Sequence, residues 1–155
     1  MKYKHPEVEE RREFGKSLRT QTPRSSHAQW TASGTRPDPV ALIEQQNEDR
    51  LAWLVPVRRA RMMASPFAFY RGAARIMAVH LSTTPITGLM VQSCGDAHLA
   101  NFGFFASPER KLVFDLNDFD ETLPGPWEWD IKRLAASFMI AARHNGMDSV
   151  IGRAA

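Results

Sequence analysis

The alternation of apolar and polar positions divides the chain into a polar first quarter and a patterned remainder. Residues 1–37 are polar and basic, broken by Pro23, Gly34 and Pro37, and show little periodicity. They read as an extended arm with a short helix over residues 6–18. Asp38-Pro39 then forms a helix start, with Asp as N-cap and Pro in the first turn. Val40, Ile43, Asn47, Leu51 and Leu54 follow at helical spacing, which predicts a helix over 39–54 ended by Pro56. Gly72 to Leu81 reads as a second helix. ITGLMVQS (86–93) has the length and apolar content of a buried strand. NFGFFA and KLVFDLN are two shorter strands joined through SPER as a hairpin. After a Pro-Gly-Pro break, Trp129 to His144 carries an apolar stripe of Ile131, Leu134, Ala135, Phe138, Met139 and Ala142. Asn145-Gly146 stops that helix, and Asp148 caps a further one. The order helix–helix–strand–hairpin–helix predicts a mixed α/β (α+β) domain over 38–155, with a small antiparallel hairpin packed among helices.

Composition bounds the function. At 155 residues and 43% apolar content, one domain with a core is expected. No run reaches the roughly 20 apolar residues of a bilayer span, and the charged N-terminus lacks a signal-peptide pattern. The lone Cys94 excludes an internal disulfide. A reducing cytoplasm and no membrane partner are therefore expected. Residues 1–75 hold 14 Lys/Arg against 8 Asp/Glu, and residues 76–155 hold 6 against 9, so a basic half precedes an acidic one. No Lys/Arg cluster is interleaved with aromatics and no zinc-finger or RNP pattern occurs, which argues against nucleic acid.

The acidic residues of the second half concentrate in 91–130, singly, at the ends of short apolar segments. A carboxylate there is costly to desolvate unless something pairs with it, so the stretch suggests a polar site on an apolar frame. Asp96, His98 and Asn101 share one loop; Asp115, Asp118, Asp120 and Glu121 stand at the end of the hairpin. These are hard oxygen donors, suited to Mg²⁺ or Mn²⁺ rather than zinc. Each group also has a structural reading. Asp96 and Asn101 can cap a turn, and the hairpin carboxylates can pair with Arg71, Arg133 or backbone N–H groups. Cys94 reads as a small buried residue ending a strand, or as a thiol beside the site. DLNDFDE fails as an EF-hand loop, since Phe119 and Asp120 fill its fifth and sixth positions. HExxH, GxSxG, CxxC, GxxxxGK and GxGxxG are all absent.

CGDAHLAN is similar to the HGDxHxxN catalytic loop of aminoglycoside-phosphotransferase-like kinases, with Cys94 in place of His. That resemblance implies Asp96 as catalytic base and Asn101 as a Mg²⁺ ligand. NDFDE followed by GPWEWDIKRLA resembles the IDFDDA…GP…DLA segment of the same kinases. It implies Asp118 as a further metal ligand, with Asp115 an alternative by hairpin length, and Asp130 as the structural brace of the loop. His98, Asp120 and Arg71 are possible accessories. PRSSHAQW, RPDPVALIEQQNEDR, LVPVRRARMMASPFAFYRGAA, GDAHLANFGFF and VFDLNDFDETLPGPWEWDIKRLAAS resemble domain-of-unknown-function family 2252, a bacterial family whose members are longer. In them a Gly-rich segment and a lysine, the plausible nucleotide-binding parts, follow the region present here. The resemblance implies an incomplete, N-terminal piece of a kinase-like fold whose nucleotide lobe is absent. It implies a Mg²⁺-dependent phosphotransferase acting on an unknown small-molecule or protein hydroxyl acceptor, inactive as this piece, with ATP used only by a full-length relative. The alternative is a non-catalytic kinase-fold remnant or binding module.

Overall fold

Proline and short polar side chains set most of the helix boundaries. The structure, a computed structural model, describes residues 5–32 and 34–147. Among them the chain forms six α-helices and two two-stranded antiparallel sheets. The mixed α/β class expected from the pattern is therefore present. The helix expected from Asp148 lies outside the described residues.

Within the arm, α1 (Val8–Gln21) opens with a capping box between Glu7 and Glu10 and buries Leu18. It is longer than the helix expected over 6–18, and Thr22 Oγ1 just beyond it donates to the Ile86 carbonyl at 3.4 Å. Asp38 caps α2 (Pro39–Asn47) as expected, accepting from the Val40 and Ala41 N–H groups at 3.2 Å each. The predicted helix over 39–54 instead stops at Asn47. Pro56 does not end a helix; it sits in the first turn of α3 (Val55–Met63), where a missing N–H costs nothing. Ser65 caps α4 (Pro66–Arg71) by the same logic, its Oγ accepting from Ala68 N–H at 3.0 Å. The helix expected from Gly72 is α5 (Ala74–Leu81).

The strand expected over 86–93 shortens to β1 (Met90–Ser93), and it is exposed rather than buried except at Ser93. Its partner, β4 (Leu123–Pro126), replaces the expected Pro-Gly-Pro break. The strand survives its prolines because of which way they face. Trp127 N–H, next after β4, donates to the Leu89 carbonyl at 3.4 Å. Residues 125 and 123 share that direction, so the ring nitrogens of Pro124 and Pro126 point away from β1 and no ladder donor is lost. The second sheet is the predicted hairpin, β2 (Phe102–Ala106) with β3 (Leu112–Leu116). It is not packed among helices. Phe104 and Phe114 meet across it with tilted rings 5.0 Å apart and are 72% and 60% exposed.

α6 (Trp127–His144) is the spine, packing against α4, α5, β1 and β4. The predicted apolar stripe turns inward only in part: Ala142 is buried and Leu134, Phe138 and Met139 half-buried, but Ile131 and Ala135 are exposed, while the polar Glu128, Arg133 and Ser137 are buried. Glu128, Arg133 and Ser137 are also the largest fully enclosed side chains of the described residues. A polar face turns inward because what it meets is loop backbone, whose N–H and C=O groups require partners. Thr87 and the residues around it occupy the first turn's neighbourhood. Glu128 Oε1 accepts from both the Thr87 N–H and hydroxyl at 2.6 Å, and Lys132 Nζ donates to Thr84 Oγ1 at 2.7 Å.

Candidate functional site

Successive turns of α6 hold the loop that leaves β1. The Asp130 carboxylate accepts from Cys94 N–H at 2.7 Å and from Gly95 N–H at 3.1 Å. One turn on, Arg133 Nε and Nη2 both donate to Asp96 Oδ1. Another turn on, Ser137 Oγ accepts from Leu99 N–H at 2.9 Å. Arg133 also ties α6 to α4. Its Nη2 donates to the Tyr70 carbonyl at 3.0 Å, its guanidinium lies 4.5 Å from the Tyr70 ring centroid, and the Tyr70 hydroxyl donates back to the Arg133 carbonyl at 2.8 Å. Burial pushes the Tyr70 hydroxyl up to about 12, so it remains a donor throughout the physiological range.

The loop closes on itself. His98 N–H donates to the Asp96 carbonyl at 2.7 Å, and Asn101 Nδ2 donates to the same oxygen at 2.9 Å. Asn101 N–H donates to the His98 carbonyl at 2.9 Å, and the Asn101 carbonyl receives Asn117 N–H at 2.9 Å. That last bond fastens the loop to the end of β3. Gly95 is obligatory: its φ is +83°, and a Cβ there would lie 2.2 Å from the Glu121 carbonyl oxygen. Cys94 Sγ donates to the Asp118 carbonyl at 3.2 Å, and burial pushes its thiol up to about 11. Cys94 is thus a buried packing residue with little thiolate at neutral pH.

Asp96, His98, Asn101, Asp118 and Arg71 line one cleft of about 850 Å³. Loop and hairpin end thus present a carboxylate, a carboxamide and a second carboxylate to the same space. The rest of the lining comes from residues 49–72. Asp115 does not line this cleft; it is exposed on β3 and accepts from Leu116 N–H at 2.8 Å. Asp120 is exposed and outside it, donating its N–H to Asp118 Oδ1 at 3.3 Å. Asp130 lies behind the loop, against its backbone. A smaller cavity of about 210 Å³, between Trp30, Arg36 and His80, has no carboxylate in its lining among the described residues.

Electrostatics distinguish the members of the site. Burial raises Asp96 to about 6; Arg133 opposes that shift, while Glu121 and Asp118 add to it. Its side chain is 13% exposed, with Oδ1 committed to Arg133. Asp96 Oδ2 lies 3.8 Å from His98 Nε2, too far for a hydrogen bond. Burial, followed by the charges of Arg133 and Arg71, lowers His98 to about 4, so the imidazole is neutral and the contact is not an ion pair. Asp96 at neutral pH is a carboxylate with one anchored oxygen and one unbonded oxygen. No set of three His, Cys, Asp or Glu side chains converges as a metal site among the described residues. The donors that the loop and the hairpin end bring to the cleft are two carboxylates and the Asn101 carboxamide, whose Nδ2 is already used, leaving Oδ1 as its acceptor. Such oxygens fit a hard divalent cation.

Arg133 is the residue that sequence reasoning placed least well, naming it only as a possible partner of the hairpin carboxylates. Its signal was positional: it lies three residues after Asp130 and four before Ser137, so the three share one helical face.

The family model for uncharacterized proteins conserved in bacteria (DUF2252) matches residues 50–155, and the chain belongs to that family. Nothing matches it among curated proteins or among solved structures.

Proposed function

We propose that the cleft is the acceptor side of a Mg²⁺-dependent (or Mn²⁺-dependent) phosphotransfer site, in which Asp96 takes the proton from an acceptor hydroxyl. The observation that carries this reading is the shared cleft: Asp96, Asn101 and Asp118 come from two segments and face one space. Arg133 orients the Asp96 carboxylate by holding Oδ1, which leaves Oδ2 to receive the proton as the hydroxyl oxygen bonds to phosphorus and the leaving group departs. Asn101 and Asp118 supply the oxygens that would hold the cation. The bound cation would neutralise charge developing on the transferred phosphoryl group. ATP is the expected donor in a longer relative that carries a nucleotide-binding segment; these residues contain no phosphate-cradling Gly-rich motif.

A second reading, a kinase-fold remnant or binding module without turnover, is favoured by one observation. Asp96 is already paired with the buried Arg133, as a purely structural carboxylate would be. Phosphorus NMR of ATP consumption, run with the chain and with a longer family member, separates the two. Turnover that needs Mg²⁺ and disappears in Asp96→Asn and Asp118→Asn, with circular dichroism unchanged, supports transfer. Unchanged turnover in Asp96→Asn retires the base, and absence of turnover in both proteins leaves the binding module.

A further inference from the structure

The cleft lining contributed by residues 49–72 carries four arginines, Arg50, Arg58, Arg61 and Arg71, against one carboxylate, Asp49. Arg58 is committed: it donates to Asn47 Oδ1 at 3.2 Å, Gln46 Oε1 at 3.1 Å and the Gly72 carbonyl at 2.7 Å. Arg50, Arg61 and Arg71 are different. Among the described residues none of them makes a side-chain hydrogen bond or an ion pair, Asp49 included. Nearby, Arg59 pairs with Glu44 and Arg75 with Gln45, so what marks Arg50, Arg61 and Arg71 is that three unpartnered arginines line one cleft. Arg71 does not pair with the acidic stretch, as its ordinary structural role would require. Its charge nevertheless reaches the loop, since it helps hold His98 neutral. Arg50 likewise acts on Arg58, helping burial to lower its pKa. Like charges gathered on one concave wall repel, and an oxyanion between them relieves the repulsion.

We propose that the compound whose hydroxyl meets Asp96 is itself anionic, bearing a phosphate or carboxylate group that Arg50, Arg61 and Arg71 hold across the cleft. This rests on the reading of Asp96 as the hydroxyl's proton acceptor and adds the class of acceptor. Guanidinium forks match both oxyanions with paired N–H donors, whereas a cationic acceptor would meet like charge. The apolar carbons of Leu54 and Val57 in the same lining offer contact to the ligand's carbon frame.

The test compares glycerol 3-phosphate with glycerol, titrated against the 155-residue chain at low ionic strength without nucleotide or metal, by calorimetry and NMR. Glycerol 3-phosphate binds and glycerol does not. Arg61→Ala with Arg71→Ala weakens binding about tenfold or more, equal to about 1.4 kcal/mol. Arg59→Ala, outside the cleft, leaves it unchanged. Equal affinity for glycerol and glycerol 3-phosphate, or full affinity in a folded double arginine variant, overturns the inference. Charge-selective binding without phosphate transfer would remove the transfer reading alone. Transfer with charge-indifferent binding would remove this inference alone.

Discussion

Replacing Asp130 with Ala removes two hydrogen bonds at once, because its two carboxylate oxygens serve the adjacent N–H groups of Cys94 and Gly95. Hydrogen bonds to a charged acceptor are worth about 1.5–3 kcal/mol each, and a buried donor left bare costs a similar amount. Cys94 is buried and Gly95 half-buried, so water can replace the lost acceptor only in part. The expected loss is about 3–5 kcal/mol, a large share of the roughly 5–15 kcal/mol that holds an ordinary domain together. Asp130→Asn keeps one acceptor oxygen and should lose about half as much. Urea denaturation measures the loss, and amide hydrogen exchange locates it: the Cys94 and Gly95 amides lose protection before those at the centre of α6. A loss below about 1 kcal/mol for Asp130→Ala, or unchanged exchange at those amides, would refute the claim that α6 holds the loop.

Three further outcomes follow from the same contacts. Asp96 must be ionised to accept a proton, so transfer should rise with pH through about 6. Arg133 favours the ionised form, so Arg133→Met should move that rise to higher pH; an unmoved profile would separate Arg133 from Asp96. Folding raises Asp96 above its ordinary carboxylate range, so the folded state holds this proton more tightly than the unfolded one. The contribution of Asp96 to stability therefore declines as pH rises from its unfolded value through about 6, and Asp96→Asn should flatten the urea midpoint across that window. Gly95→Ala combines about 1–2 kcal/mol of left-handed backbone strain with a Cβ on the Glu121 carbonyl oxygen, and should displace the loop or prevent its folding. A variant with wild-type urea midpoint and wild-type amide shifts would show that Gly95 is replaceable.

How much of this was legible in the sequence depended on what each residue's partner was. Asp38 and its proline mark a helix start through local chemistry alone, and α2 begins where they stand. The mixture of helices with a hairpin was also readable from periodicity. Pro56 and the Pro124–Pro126 pair misled because a proline's cost depends on whether its N–H was needed, and that is decided by position in a turn or by a partner strand. The inward face of α6 was hidden for a related reason. Apolar periodicity predicts a helix against an apolar core, yet Asp130, Arg133 and Ser137 pack against loop backbone and a carboxylate. Asp96, Asn101 and Asp118 could be named as chemistry-bearing side chains, but their common cleft depends on the Asn117 to Asn101 backbone bond that ties hairpin to loop. Asp115 and Asp118, three residues apart, could be told apart only once the hairpin's course was known. The unpaired Arg50 and Arg61 gave no local signal, because only the fold brings them into the cleft that the loop lines.

The most direct test of the proposed site is titration of Mn²⁺ into the chain, followed by paramagnetic broadening in its NMR spectrum. The account predicts broadening centred on Asn101 and Asp118, abolished by Asp118→Ala and competed by Mg²⁺. Broadening centred on Asp115 or Asp120, or none at the cleft, would contradict it.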